Sequence, residues 1–245
     1  MKLKHVEAEL SRLHSSLAFP SPNVALEQYP TSPHLAAHLA WSAMNLGDIV
    51  EDKDSDEEGE EGGSAGAAGT RLLDLGCGTG ILGISAVVVG ASCVTALDCD
   101  SAALSVARSN VELMEMEGNF TFVEAKLEHK RGGGGGGGGA VEDGLPFEDN
   151  SFDVVFTNPP FGTKNNAGID VAFLKAAVRV ASRAVYSFHK SSTRAYLMKK
   201  CKEWGCTATV LAEMKFEVKK IYKFHKKDAV DVAVDLIRVE LSEGG

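Results

Sequence analysis

The sequence predicts an α/β fold, a seven-stranded, mostly parallel sheet with helices on both faces. Three observations predict it. Short apolar runs alternate with stretches of helical periodicity through most of the chain, the pattern that builds parallel βαβ units. The first apolar run closes on a cluster of alternating glycines. The alternation then breaks near the end, where two extended runs follow each other with no helix between them.

Two helices precede the sheet, over about 3–17 and 33–46. The second has Pro33 in its first turn, with Thr31 or Ser32 placed to cap it. Residues 71–75 are the first strand, and a helix follows over about 81–89. Residues 93–97 form the next strand, ending at Asp98, and 101–116 form an amphipathic helix with Leu104, Ala107, Val111 and Met114 on one face. Strands at 120–124 and 152–157, a helix near 170–182, a strand at 184–188 and a helix near 192–204 complete the alternation. The runs 206–216 and 230–239 pair antiparallel, the second showing the period-two pattern of a half-buried strand in Val230, Val232, Val234 and Leu236.

With 245 residues, 44% hydrophobic and 24% charged, the chain reads as one globular domain, 1–245. Two stretches, 47–70 with its acidic run and 128–145 with eight successive glycines, are foreign in composition and are expected to be disordered insertions in surface loops. The net charge of −9 argues against a nucleic-acid binder only on average. Residues 1–158 hold 9 basic and 25 acidic side chains, whereas 159–245 hold 16 and 9, which assigns any polyanion-binding face to the C-terminal half. Five cysteines form no C-x-x-C pair and no metal spacing with histidine, so neither a disulfide scaffold nor a metal site is expected. No apolar run has the length and purity of a membrane span, and no membrane association is expected.

Two motifs carry chemistry. The loop Asp74-Leu75-Gly76-Cys77-Gly78-Thr79-Gly80 turns from strand to helix, its glycines letting a ligand approach the backbone closely. Asp98 ends the next strand 22 residues after Gly76, where a carboxylate accepts both hydroxyls of a ribose. Asp74 adds a carboxylate at the start of the loop. That tilts the choice from a pyrophosphate-bearing dinucleotide toward a nucleoside carrying a cationic sulfonium, S-adenosylmethionine.

The second motif is Asn158-Pro159-Pro160-Phe161, directly after the strand ending at Thr157 and so at the carboxyl edge of the sheet. Its prolines fix the backbone so that the Asn158 side-chain oxygen and a neighbouring carbonyl both accept hydrogen bonds from one planar NH2 group. Phe161 stacks on that group.

With these residues in order, the chain resembles the class I S-adenosylmethionine-dependent methyltransferases and, within them, the rRNA adenine N6-methyltransferase family. The resemblance extends through Leu26-Glu27-Gln28-Tyr29-Pro30-Thr31, the stretch from Asn158 to Asn166, Ser187-Phe188-His189-Lys190-Ser191-Ser192-Thr193-Arg194 and Tyr222-Lys223-Phe224-His225-Lys226-Lys227. It implies the Rossmann-like class I methyltransferase fold and formation of N6-methyladenosine at a specific adenosine of small-subunit ribosomal RNA. Gln28 and Thr31 would close over the cofactor, Gly76, Gly78, Thr79 and Ile81 would line it, Asp98 would hold the ribose, and Asn158 to Phe161 would be the catalytic tetrad. The family usually places an Asp for the adenine amino group where this chain has Lys126, which cannot accept that bond. The backbone at Lys126 and Leu127 then makes the contact, or Glu124 or Glu128 shifts in.

Lys219, Lys220, Lys223, Phe224, His225, Lys226 and Lys227 lie in nine residues without an acid, with Tyr222 interleaved, and suit phosphate contact with base stacking. Lys164 and Lys190 add to the same RNA-binding set. The resemblance further implies a heterodimer with a small zinc-binding methyltransferase-activator protein at the edge strand 120–124, and a location in nucleus and cytoplasm. Two alternative functions remain open at this point, a protein glutamine N5-methyltransferase and a catalytically weak rRNA-binding assembly factor.

Overall fold

The computed structural model describes residues 1–51, 69–128, 143–162, 166–219 and 229–241. Helices α1 (Leu3–Ser11) and α2 (Pro33–Asn45) precede β1 (Arg71–Leu75), α3 (Ile81–Val88), β2 (Cys93–Asp98), α4 (Ser101–Leu113), β3 (Phe120–Glu124) and β4 (Phe152–Thr157). Then follow α5 (Ile169–Val180), β5 (Ala181–Lys190), α6 (Arg194–Glu203), β6 (Thr207–Lys219) and β7 (Ala229–Glu240). The seven strands form one sheet in the order β3-β2-β1-β4-β5-β7-β6. Neighbours from β3 to β5 pair parallel, and β7 runs antiparallel between β5 and β6. This is the predicted sheet, with β3 at one edge.

Alternation along the strands sorts the core into two layers. Leu72, Val154, Phe156, Tyr186, Phe188 and Leu236 face α1, α2 and α3, while Leu73, Leu75, Val155, Val185 and Ile237 face α5 and α6. The chain reverses its direction of winding between β1 and β4, which pair at Leu75 and Thr157. Such a switch point opens a crevice at the carboxyl ends of the strands, so the glycine loop and the Asn-Pro-Pro-Phe loop leave the sheet side by side.

Several boundaries differ from the sequence expectation. Helix α1 ends at Ser11 rather than near residue 17, because the chain tightens into turns in which Leu13 N–H reaches the Leu10 carbonyl and Ser16 N–H the Leu13 carbonyl. Leu13 and Leu17 still reach the core. Helix α4 stops at Leu113, where Glu115 takes a left-handed conformation (φ 59°). Ser32, not Thr31, caps α2, accepting from Leu35 N–H at 3.3 Å.

The expected disordered insertions also begin and end too wide. Asp48 is buried, accepts from Arg238 at 2.7 and 3.1 Å and from the Tyr186 hydroxyl, and so fastens residues beside the first insertion to β5 and β7. Thr70 Oγ1 accepts from Val50 N–H at 2.8 Å. At the second insertion Asp143 accepts from Arg179 at 2.8 and 3.0 Å, and Glu128 N–H reaches its carbonyl. Residues 52–68 and 129–142 lie outside the described residues.

Candidate active site

Beyond β1 the chain turns through Gly76, Gly78 and Gly80, all at positive φ (74°, 51° and 84°). A Cβ at Gly76 would meet the Phe173 ring at 2.9 Å, and one at Gly78 would meet Phe19 at 3.1 Å. Glycine is needed there for conformation and for space alike. Asp98 stands at the tip of β2 with one carboxylate oxygen accepting from Gly78 N–H at 2.8 Å and the other from Asp100 N–H at 3.0 Å. Burial pushes its carboxyl above the usual range, and those two N–H groups oppose the shift. Each oxygen keeps a second lone pair for a ligand hydroxyl.

A cavity of about 360 Å³ opens over this turn. Of the predicted cofactor residues, Gln28, Thr31, Gly76, Gly78, Thr79, Ile81, Asp98, Lys126, Leu127 and Asn158 all line it, brought together from five separate segments of the chain. Gln28 is locked by donating to Asp100 Oδ2 at 2.7 Å and accepting from Asn23 N–H at 2.8 Å. Lys126 is exposed and Leu127 buried, and neither Glu124 nor Glu128 reaches the cavity. The structure thus puts the Lys126-Leu127 segment, rather than Glu124 or Glu128, on the cavity wall.

Asp74 is the correction. Its carboxylate does not line the cavity. It is wholly buried on the α3 side of the sheet, where Oδ2 accepts from Gly83 N–H at 2.8 Å and Oδ1 has no hydrogen-bond partner. Strand alternation explains the placement, since Asp74 lies between the inward-facing Leu73 and Leu75 of the opposite layer. Burial pushes its carboxyl up to about 7, with Asp98 adding to the rise.

The tetrad divides between two roles. Asn158 and Pro160 face the cavity, while Pro159 is buried. Asn158 Nδ2 donates to Thr31 Oγ1 at 2.9 Å, and Asn158 Oδ1 is buried with no hydrogen-bond partner. The residue lines the cavity and its carbonyl oxygen lacks a donor, an acceptor still to be satisfied. Phe161 does not line the cavity. Its ring meets Phe216 edge-on with centroids 5.7 Å apart, and Lys190 Nζ lies 5.7 Å from its centroid. A second, mainly apolar cavity of about 510 Å³, lined by Phe19, Tyr29, Leu35 and Phe216, shares the Tyr29-Pro30-Thr31 wall with the first.

Among the predicted RNA-binding residues, Lys190 sits at the end of β5 beside the tetrad, and the backbone of Lys219 ends β6. Lys164, Lys220, Lys223, Phe224, His225, Lys226 and Lys227 lie outside the described residues. Sequence reasoning missed Phe19, Ile169 and Phe173, which complete the cavity. No local signal marks them, because each looks like an ordinary core or loop residue until the fold brings it to the glycine turn.

Glu7, His34 and His38 bring their ligand-type atoms within 4.8 Å of one another between α1 and α2. His34 Nδ1 lies 2.6 Å from Glu7 Oε1, a polar tie between the helices away from the cavity lining. Among the described residues no helix is long and apolar enough to cross a membrane.

A switch-point cavity with a glycine turn, an acid at the tip of β2 and an Asn-Pro-Pro-Phe loop defines a Rossmann-like methyltransferase. The family model for ribosomal protein L11 methyltransferase (PrmA) matches residues 64–158, the stretch that holds these features. Over almost its whole length the chain is similar to proteins named rRNA N(6)-adenosine-methyltransferase METTL5. The Danio rerio protein is 37% identical, covering 97% of this chain and 98% of that one, and the Drosophila melanogaster protein is 38% identical, covering 98% and 97%. A crystal structure from Pyrococcus horikoshii, described as a candidate RNA methyltransferase, superposes with a TM-score of 0.73 at 28% identity, covering 98% of each chain. The chain belongs to the METTL5 family of rRNA N6-adenosine-methyltransferases.

Proposed function

We propose that this protein transfers the methyl group of S-adenosylmethionine to N6 of a specific adenosine in small-subunit ribosomal RNA, with Asn158, Pro159, Pro160 and Phe161 as its catalytic loop. The observation that carries the reading is Asn158 on the cavity wall, its Oδ1 buried and partnerless while the amide nitrogen is tied to Thr31. The names of the full-length relatives supply the substrate class.

The residues present fit the cofactor. The turn at Gly76 and Gly78 lines the cavity without side chains and would face the methionine tail, Asp98 would take the ribose hydroxyls, and the Lys126-Leu127 backbone would meet the adenine. When bound, S-adenosylmethionine supplies an electrophilic methyl on a sulfonium.

The chain's own residues deal with the acceptor. An exocyclic amine is a poor nucleophile because its lone pair is delocalised into the ring. Asn158 Oδ1, with a loop carbonyl, accepts the two N–H bonds and favours the pyramidal nitrogen whose lone pair is free. Thr31 fixes the amide so that oxygen, not nitrogen, meets the base. Pro159 and Pro160 remove backbone freedom, and Phe161 offers a ring for stacking. No strong base is needed, since the methylated nitrogen is acidic and loses its proton to water. Catalysis is therefore positioning and electrostatics. A stacked adenine hides its amino group, so the base leaves its stack, in a duplex or a loop, to enter the site.

The basic residues of the C-terminal half hold the RNA backbone, from Lys190 beside Phe161 to the run at 219–227 together with Lys164. The exposed edge of β3 is the proposed seat of a small zinc-binding activator protein, and the heterodimer works in nucleus and cytoplasm. Expression without that partner tests this part: a thermally stable, fully active lone chain contradicts it.

The function itself is tested by supplying labelled cofactor to the co-expressed pair with separated ribosomal RNAs and proteins. Label in N6-methyladenosine of small-subunit RNA supports the reading. Label on a protein glutamine moves the activity to an amide N5-methyltransferase, and tight RNA binding without label leaves an assembly factor.

A further inference from the structure

His189 is a wholly buried histidine that the methyl-transfer scheme does not use. Its Nε2 lies 2.8 Å from Ser187 Oγ, its Nδ1 has no hydrogen-bond partner, and Asp170 Oδ2 stands 3.9 Å from that Nδ1. Ser187, His189 and Asp170 thus follow the order of a nucleophile, a base and an orienting carboxylate. Ser187 is wholly buried, so no substrate reaches it and a hydrolytic role is excluded.

The group lies beside the proposed catalytic loop. Strand β5 pairs Ser187 with Thr157, the residue before Asn158, and continues past it, which sets His189 level with the two prolines. Asp170 lies in the first turn of α5, the helix that follows the loop, and its Oδ1 is 3.6 Å from where a Cβ of Gly162 would be. Gly162, at φ 69°, is the residue next to Phe161. On the far side His189 pairs in register with Asp235, whose carboxylate is already taken by Ser191 at 2.7 Å and Arg194 at 2.6 Å. Among the described residues, the carboxylate that faces Nδ1 is that of Asp170.

The tautomer follows. A lone pair on Nδ1 aimed at a carboxylate is repelled, whereas an N–H there is attracted. Nε2 then accepts from the Ser187 hydroxyl. The gap to Asp170 is about 1 Å longer than a hydrogen bond, so a small inward movement of the α5 first turn closes it.

We propose, resting on the methyl-transfer reading above, that His189 is a positioning residue: its Nδ1–H closes onto Asp170 when the acceptor base engages the loop, and so holds Gly162 and Phe161 in place for the reaction. The same strand end carries Lys190 over the Phe161 ring, so one element sets both the stacking ring and its cation. His189 acts through its neighbours and touches no reacting atom.

The test uses the conservative pair of amides. Asn places its NH2 near the position of Nδ1 and spares the Asp170 interaction, whereas Gln reaches only the position of Nε2 and loses it. In single-turnover assays at saturating cofactor and RNA, His189→Gln and Asp170→Asn are expected to slow methyl transfer by about tenfold to about 100-fold, the range for a reacting group misplaced by an ångström. His189→Asn is expected to stay within about threefold of the wild type. Cofactor affinity and melting temperature should be preserved in all three, which separates positioning from a fold defect. If His189→Gln proves unstable, Asp170→Asn alone carries the comparison. Equal rates for the Asn and Gln variants, or an Asp170→Asn protein at wild-type speed, overturn the proposal. Nitrogen-15 NMR of the full chain reads the tautomer without any activity: a proton on Nδ1 supports the inference and one on Nε2 overturns it. If the wild type makes no N6-methyladenosine, the functional reading fails, and the NMR result still decides the placement of the proton.

Discussion

Asn158 Nδ2 donates to Thr31 Oγ1 across 2.9 Å, joining the loop after β4 to the residue before the cap of α2. Sequence alone offered both Thr31 and Ser32 as caps. The structure divides the work, Ser32 closing the helix and Thr31 tying down the amide whose oxygen has no donor. Thr31→Val removes the restraint while keeping the shape. The rate of methyl transfer should fall about fivefold, the loss expected for one hydrogen bond of about 1 kcal/mol that holds the reactive geometry. Thr31→Ser should retain most of the rate. Initial-rate assays on the three proteins decide it, and a valine variant at wild-type speed refutes the role.

Asp98 and Lys126 both line the cavity, Asp98 with one lone pair left on each carboxylate oxygen and Lys126 with an exposed side chain whose backbone is proposed to meet the cofactor. Calorimetric titration with S-adenosylmethionine should therefore show Asp98→Ala losing on the order of 100-fold in affinity, from two charge-assisted hydrogen bonds. Lys126→Ala should stay within about threefold, since a main-chain hydrogen bond survives the substitution. A large loss at Lys126 would mean that its side chain, not its backbone, meets the cofactor.

Asp74 makes stability depend on pH in a direction unusual for a carboxylate. Burial raises its folded value to about 7 from 3.8, so the folded state holds a proton that the unfolded chain releases. That contribution is fully present below about pH 4 and is lost as pH rises through 7. Asp74→Asn cannot titrate. Denaturant unfolding at pH 5 and pH 8 should show the variant gaining on the wild type by more than about 1 kcal/mol between the two. A difference that does not change with pH would show that Asp74 stays ionised throughout.

The basic run should act through charge rather than sequence. Replacing Lys223, Lys226 and Lys227 by Gln is expected to weaken RNA binding and to flatten its salt dependence by about 0.7 in log-log slope for each phosphate that is no longer neutralised. Cofactor affinity should not change. An unaltered slope, measured by anisotropy across a salt series, would place the RNA elsewhere.

Much of this architecture was legible because its signals are local. Apolar runs, the glycine turn and the two prolines each specify a backbone shape within a few residues, and all seven strands appear where periodicity places them. Asp98 and Asn158 were equally legible, since a strand end in a parallel sheet already defines the crevice. What the sequence hid are relationships made by folding. Asp48 looks like the edge of an acidic, disordered tract, yet it is buried against Tyr186 and Arg238 on distant strands. Phe19 and Phe173 close on the glycines from a loop and a helix with no motif of their own. Asp74 was placed at the loop correctly, but which face it takes depends on strand alternation, and that phase turned it away from the cavity.

The most direct measurement is mass spectrometry of nucleosides from small-subunit ribosomal RNA incubated with labelled S-adenosylmethionine and either the wild-type protein or Asn158→Ala. Label in N6-methyladenosine with the wild type, and none with a variant that still binds RNA and cofactor, is the predicted result. Undiminished label with Asn158→Ala would contradict the account at its centre, because the buried oxygen would then have no part in presenting the amine.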